Sequence, residues 1–168
     1  MEIEIRELAA DGILALRREI AEIWPEASRD RLGEILPRHA ARDGFRFFGA
    51  FSGDRLVGFV YGYRGGPGQW WHDRVATALG ADGSERWLGR GHLEFTELHV
   101  RPEFRRRGIG GMLHDRLLED VDGRTAVLST QTDNKPALAL YAARGWQVIV
   151  PELDFGSGRP FLIMGKDL

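Results

Sequence analysis

No cysteine occurs among the 168 residues, which excludes disulfides, thiolate nucleophiles and cysteine-ligated metals together. Lysine is nearly missing as well: Lys135 and Lys166 are the only two, and every other basic residue is arginine. Most of that bias fits genomic base composition and carries no message about function. A formal net charge of -2 leaves no basic surplus, which argues against bulk nucleic-acid binding. No apolar run approaches membrane-spanning length, so no membrane partner is expected. The opening Met1-Glu2-Ile3-Glu4-Ile5-Arg6-Glu7 is charged and unlike a secretory leader, and a cytoplasmic protein is expected. Repeats, low-complexity tracts and Pro/Ser linkers are also lacking, which predicts a single domain over residues 1–168.

What is present is a succession of short periodic segments. Ile3 and Ile5 alternate with charges and predict a first strand. Asp11 is placed to cap a helix carrying Ile13, Leu16, Ile20 and Ile23, ending near Pro25. A second helix is expected from Ser28 through Leu32, Ile35 and Leu36, with Pro37 arguing for its end there. Residues 45–51 and 56–63 read as strands joined by the turn Ser52-Gly53-Asp54-Arg55. The segment 64–91 is irregular: Gly65-Gly66-Pro67-Gly68 breaks structure, residues 73–79 allow a short helix, and Trp70, Trp71 and Trp87 all fall within it. A strand over residues 92–100 follows, then a glycine loop and a helix to about Asp120. Another strand is expected at 125–130, and a helix from Pro136 to Gly145 has proline inside its start and glycine past its end. Strands at 146–150 and 161–166 close the chain. Strands outnumber helices and begin with a hairpin, so the class is a mixed sheet flanked by helices.

The densest chemistry lies at Arg105-Arg106-Arg107-Gly108-Ile109-Gly110-Gly111, between a strand and a helix. Gly108 and Gly110 permit close backbone approach. Ile109, Met112, Leu113 and Leu117 are predicted to hold the helix against the sheet. Its unpaired amino-terminal amides and positive dipole end would then form an anion site, to which the cluster Arg101, Arg105, Arg106 and Arg107 could add charge-assisted bonds. A Walker loop needs Gly-Lys-Ser/Thr, which is absent, and the three spaced glycines and distal acid of a Rossmann fingerprint match poorly.

The spacing Arg-x-x-Gly-x-Gly after Leu98-His99-Val100-Arg101-Pro102 resembles the central motif of the GNAT superfamily of acyl-CoA N-acyltransferases. A second pattern resembles the later segment of the same family: Asn134, Pro136, Ala137, Leu140, Tyr141, Gly145 and Trp146, in the form Asn-x-x-Ala-x-x-x-Tyr-x-x-x-Gly-aromatic. The resemblance covers residues 45–150 well and the first 44 in outline. It implies an α/β (α+β) fold with a mixed, mostly antiparallel sheet of six to seven strands, about four flanking helices, and splayed central strands that leave a slot for pantetheine. It further implies acetyl-CoA as cosubstrate, no metal, and direct attack of an amine on the thioester. Backbone groups of Leu98, His99 and Val100 would bond the pantetheine amides. Those of residues 106–111 would hold the pyrophosphate, and Asn134 and Tyr141 would lie beside the pantetheine arm. The acceptor would be a small-molecule amine or a protein amine, and the resemblance leaves room for a homodimer.

An alkyl amine is mostly protonated at neutral pH, so a base is required. Glu94 and Glu97 are the two candidates: Glu94 shares strand parity with Leu98 and sits where some histone-acetylating GNATs carry their base, while Glu97 immediately precedes the pantetheine-binding triplet. Tyr141 is the candidate proton donor to the departing thiolate, or else a core aromatic packed on Leu138. Asn134 contacts pantetheine, caps its helix, or does both. The side chain of His99, opposite in parity to Leu98, reads as packing or surface. His92 and His99 lack metal-ligand spacing, and His72 is a lone loop histidine. The three tryptophans form a lid over an apolar acceptor or pin a long loop to the body. Two other functions stay open at this level: a catalytically idle acyl-CoA-binding module and a different nucleotide-binding protein.

Overall fold

The computed structural model describes all 168 residues, Met1–Leu168. In chain order the strands are β1 (Glu4–Glu7), β2 (Arg46–Ser52), β3 (Arg55–Arg64), β4 (His92–Val100), β5 (Thr125–Gln131), β6 (Gln147–Asp154) and β7 (Pro160–Asp167). The helices are α1 (Ala10–Ala15), α2 (Arg17–Ile23), α3 (Leu32–Ala40), α4 (Trp70–Trp87), α5 (Ile109–Leu118) and α6 (Lys135–Ala143). The hydrogen-bonded strand order is β1-β2-β3-β4-β5-β7-β6. The β4–β5 pair is parallel, whereas β1–β2, β2–β3, β5–β7 and β6–β7 are antiparallel. This is the expected mixed, mostly antiparallel sheet, with six helices where about four were anticipated. Two compact units divide the chain: residues 1–63 with 96–119, and residues 64–95 with 120–168. The boundary passes through β4.

In the first unit, Ile13, Ile20 and Leu36 from the three leading helices and Trp24 just past α2 share a buried cluster with Phe47, Phe59, Tyr61 and Tyr63. The side chains at 47, 59, 61 and 63 follow the two-residue period of strands, and those at 13, 20 and 24 follow helical spacing. Local boundaries differ from the sequence expectation in three ways. The first helix is divided at Leu16, with Ala9 at the cap position; Asp11 lies inside the first turn and accepts from the Gly12 amide at 2.9 Å. Residues 26–31 form a 3-10 helix, so the second regular helix starts at Leu32. Pro37 lies inside α3, which continues to Ala40. A helix-interior proline costs about 3 kcal/mol, and burial of Leu36 in the core offsets it.

On α5 the buried residues are Ile109, Gly111, Leu113, His114 and Leu117, whereas Met112 is 42% exposed. Met112 was expected on the packed face, and the helix is rotated so that Gly111 is buried in its place. Gly58 makes this packing feasible: a Cβ there would come within 2.9 Å of the His99 carbonyl and 3.2 Å of Leu113.

The second unit carries α4, which is much longer than the short helix expected at 73–79. It runs over 18 residues and is broken at Gly80, where φ is 74° and ψ is -179°. Val75, Trp87 and Leu88 bury against Val127 and Ile163 of the sheet. Gly165 admits the Trp87 ring, because a Cβ there would lie 2.6 Å from it. Trp71 donates from Nε1 to Ser129 Oγ at 3.1 Å. These two tryptophans therefore fasten the 64–91 segment to the β5–β7 sheet. Trp70 alone remains 58% exposed, beside Phe155 at 5.6 Å between ring centroids.

Candidate active site

The first unit holds the glycine loop. After β4 a 3-10 turn over Pro102–Phe104 leads to Arg105 in extended backbone, Arg106 at φ 63° and Gly108 at φ 78°. Positive φ at Gly108 is the left-handed conformation that a Cβ disfavours. It turns the chain directly into α5, whose amino end has no side-chain cap. The opposite end is closed: Arg46 donates to the carbonyls of Leu117 at 2.8 Å and Glu119 at 2.6 Å. A cation there complements the helix dipole. The result is a fixed helix with free amides at the end that faces the arginine loop.

The four arginines are not equivalent. Arg101 is buried and committed: its Nε donates to the Leu56 carbonyl at 2.8 Å and its guanidinium to Glu22 at 2.7 Å. Its pairing with a carboxylate separates Arg101 from the exposed arginines of the loop. Arg105 donates from Nε to the Val100 carbonyl at 3.0 Å, tying the loop to the end of β4. That carbonyl keeps a second lone pair for a ligand. The Arg107 guanidinium lies 5.4 Å from the Phe104 ring centre. Arg105, Arg106 and Arg107 are all exposed, as an anion contact requires.

Leu98, His99 and Val100 lie in the outer half of β4. The β4–β5 ladder registers only His92 with Thr125, Leu93 with Ala126 and Glu94 with Val127. Glu97 and His99 point to one side of the strand, and His99 Nε2 lies 2.5 Å from Glu97 Oε2. The imidazole is flanked by Phe59, at 5.5 Å between centroids, and Trp24, at 6.4 Å. This pairing was not anticipated from the sequence; its signal is the two-residue spacing of an acid and a histidine on one strand.

In the second unit, Glu94 is buried on the laddered half of β4, at 4% exposure. Its strand neighbour His92 is also buried, with Nδ1 3.2 Å from the Leu88 carbonyl and its ring stacked 5.4 Å from His72. Burial chiefly, and the nearby His72 in addition, lowers the His92 pKa to about 4, while the Leu88 hydrogen bond opposes the shift. A Cβ on Gly65 would collide with His92 Nε2, so the Gly65-Gly66-Pro67-Gly68 break also serves packing.

Asn134 caps α6 by accepting from the Ala137 amide at 3.3 Å. Tyr141 is buried edge-on to Phe95 and 5.7 Å from the Trp146 ring. Gly145, at φ 81°, lets the chain turn from α6 into β6. The Asn…Tyr…Gly-Trp pattern thus reads as a capped helix, a packed phenol and a helix exit.

Comparison with known proteins points the same way. Residues 12–146 match the profile of the acetyltransferase (GNAT) family. The GCN5-like protein acetyltransferase Rv2170 of Mycobacterium tuberculosis is 37% identical across 67% of this chain and 59% of its own length. The chain thus spans little more than half of that relative. Among solved structures, Arabidopsis thaliana NAA60 in complex with acetyl-CoA superposes with a TM-score of 0.69 at 15% identity, covering 99% of this chain and 100% of that one. A phosphinothricin acetyltransferase from Sinorhizobium meliloti, in complex with AcCoA, gives 0.68 at 17% identity, covering 100% and 89%. At such identities these two speak for the fold alone. With the family profile spanning both motifs and the strand between them, the chain belongs to the acetyltransferase (GNAT) family.

Proposed function

We propose that this chain, acting as one catalytic domain, transfers the acetyl group of acetyl-CoA to a primary amine by direct attack in a ternary complex. The observation that carries the proposal is the loop from Arg105 to Gly111, where exposed arginines and a left-handed glycine open onto an uncapped helix end. A pyrophosphate fits those donors: backbone amides bond its oxygens and the arginines neutralise its charge. Structures of the same fold solved in complex with acetyl-CoA or coenzyme A support the same cosubstrate.

In the reaction, the neutral amine nitrogen attacks the thioester carbonyl carbon and forms a C–N bond. A β4 carboxylate, Glu94 or Glu97, accepts the nitrogen's proton. The C–S bond then breaks, and the coenzyme A thiolate takes a proton from the Tyr141 hydroxyl, which solvent restores. Asn134 lies beside pantetheine while capping α6. Trp70, with Phe155, is the tryptophan available to an acceptor, which is a small-molecule or a protein amine. The reaction needs no metal. A panel of amines and amino-terminal peptides assayed for free thiol release with acetyl-CoA tests the proposal. Thiol release with at least one acceptor is expected; tight acetyl-CoA binding with no release across the panel would replace the enzyme with an acyl-CoA-binding module.

A further inference from the structure

Glu94 and Glu97 are three residues apart on one strand, yet their surroundings differ in kind. Glu94 is 4% exposed and sits within the β4–β5 ladder, next to the buried His92. A general base must meet the amine nitrogen and then pass its proton on, and Glu94 is far less accessible for both than Glu97. The Glu97 side chain is 26% exposed, as is that of His99. Both lie on the outer half of β4, on either side of Leu98, beyond the last registered β4–β5 pair.

His99 is held from two directions. Phe59 and Trp24 flank its ring, and Trp24 is itself fixed by a 3.0 Å bond from Nε1 to Ser28 Oγ. A ring so wedged presents Nε2 in one orientation, and Nε2 meets Glu97 Oε2 at 2.5 Å. A charge-assisted bond of this kind locks the carboxylate rotamer. It leaves Oε1 as the oxygen able to take a proton. The two arginines nearest in the chain are engaged elsewhere: Arg101 with Glu22, and Arg105 with the Val100 carbonyl.

We infer that His99 is the positioning partner of Glu97, and that Glu97, held in this way, is the group that removes the proton from the acceptor amine. The inference rests on the acetyltransferase reading above and deepens it. Glu97 Oε1 gains the proton as the amine lone pair becomes available to the thioester carbon, and solvent recovers that proton after product leaves. His99 acts only through Glu97.

Three substitutions separate the roles of His99. His99→Phe keeps the ring packing against Trp24 and Phe59 and deletes the donor. His99→Gln restores an N–H near the Nε2 position without the ring. Glu97→Gln removes the base. In the full chain, Glu97→Gln should lower kcat by roughly 10²–10⁴-fold. His99→Phe should lower kcat by about tenfold with acetyl-CoA KM unchanged, and His99→Gln should recover most of that loss. Combining His99→Phe with Glu97→Gln should cost no more than Glu97→Gln alone, because a positioning residue has nothing left to position. Glu94→Gln should lower kcat at least about tenfold less than Glu97→Gln does. A folded His99→Phe variant with wild-type kcat, or additive losses in the double variant, overturns the pairing. Loss in Glu94→Gln with retention in Glu97→Gln overturns the choice of base. A wild-type chain that binds acetyl-CoA yet acetylates no amine instead refutes the underlying reading, and the inference falls with it.

Discussion

The two halves of β4 make an instructive contrast. From His92 to Phe95 every residue is buried, and the strand is laddered to β5. From Thr96 to Val100 every residue is only half-buried, and the strand leads into the arginine-glycine loop. The first half behaves as scaffold: its polar side chains are enclosed, and His92 stays neutral because burial disfavours its charge. The second half offers what a ligand can use, namely backbone groups and a carboxylate that solvent reaches. One continuous strand thus carries both a dry, laddered half and a half-buried one.

Tyr141 gives the sharpest test of that contrast, because it packs edge-on to Phe95, the last residue of the enclosed half, yet is the proposed proton donor. A scaffold role for β4 residues 92–95 does not extend to the α6 phenol that leans on them. We expect Tyr141→Phe to reduce turnover by roughly 10²-fold, the lower end for general-acid loss, with little change in Tm or acetyl-CoA affinity. Parallel loss of rate and Tm would return Tyr141 to a purely structural role. Gly110→Leu tests the open half. Losing two backbone hydrogen bonds at about 1 kcal/mol each corresponds to roughly 30-fold weaker acetyl-CoA binding, measured by calorimetry. Arg106→Ala should cost less, and the reverse order would mean that charge, not backbone approach, governs the loop.

Acid titration probes the enclosed half differently. His92 and His39 both have folded pKa values lowered to about 4 from an ordinary 6.5, burial being the largest cause for each. The unfolded chain therefore binds more protons between those values, so stability is complete above pH 6.5 and is lost progressively as pH falls toward 4. Tm measured across that window should decline, and His92→Gln should flatten the slope; an unchanged slope would show that His92 does not contribute. The smallest effect is expected at Trp70. Trp70→Ala should raise KM for apolar acceptors by a few-fold and leave acetyl-CoA KM alone, and equal KM for every acceptor would remove Trp70 from the acceptor side.

Much of this was legible in the chain because the signals are local. Alternating Phe47, Phe59, Tyr61 and Tyr63, the Ser52–Arg55 turn, the β4 boundaries, the Gly108 turn and the Asn134 cap each depend on a few adjacent residues and on backbone sterics. The glycine loop was recognisable for the same reason: positive φ and an open helix end follow from residue type. Helix phase and extent were less legible. Met112 turned outward, Pro37 was carried within α3, and α4 grew to 18 residues, because burial against distant strands outweighs local propensity.

The sequence by itself determined the strand-loop-helix order, the arginine-glycine loop and the two motifs of the acetyltransferase family. Only the tertiary structure decided which charged groups remain free to act. Arg101 was lost to Glu22, Glu94 was enclosed beside His92, and Glu97 was joined to His99 beneath Trp24 and Phe59. The physical reason is that the availability of a charge depends on desolvation and on partners from remote segments, and neither is encoded in the spacing of neighbouring residues.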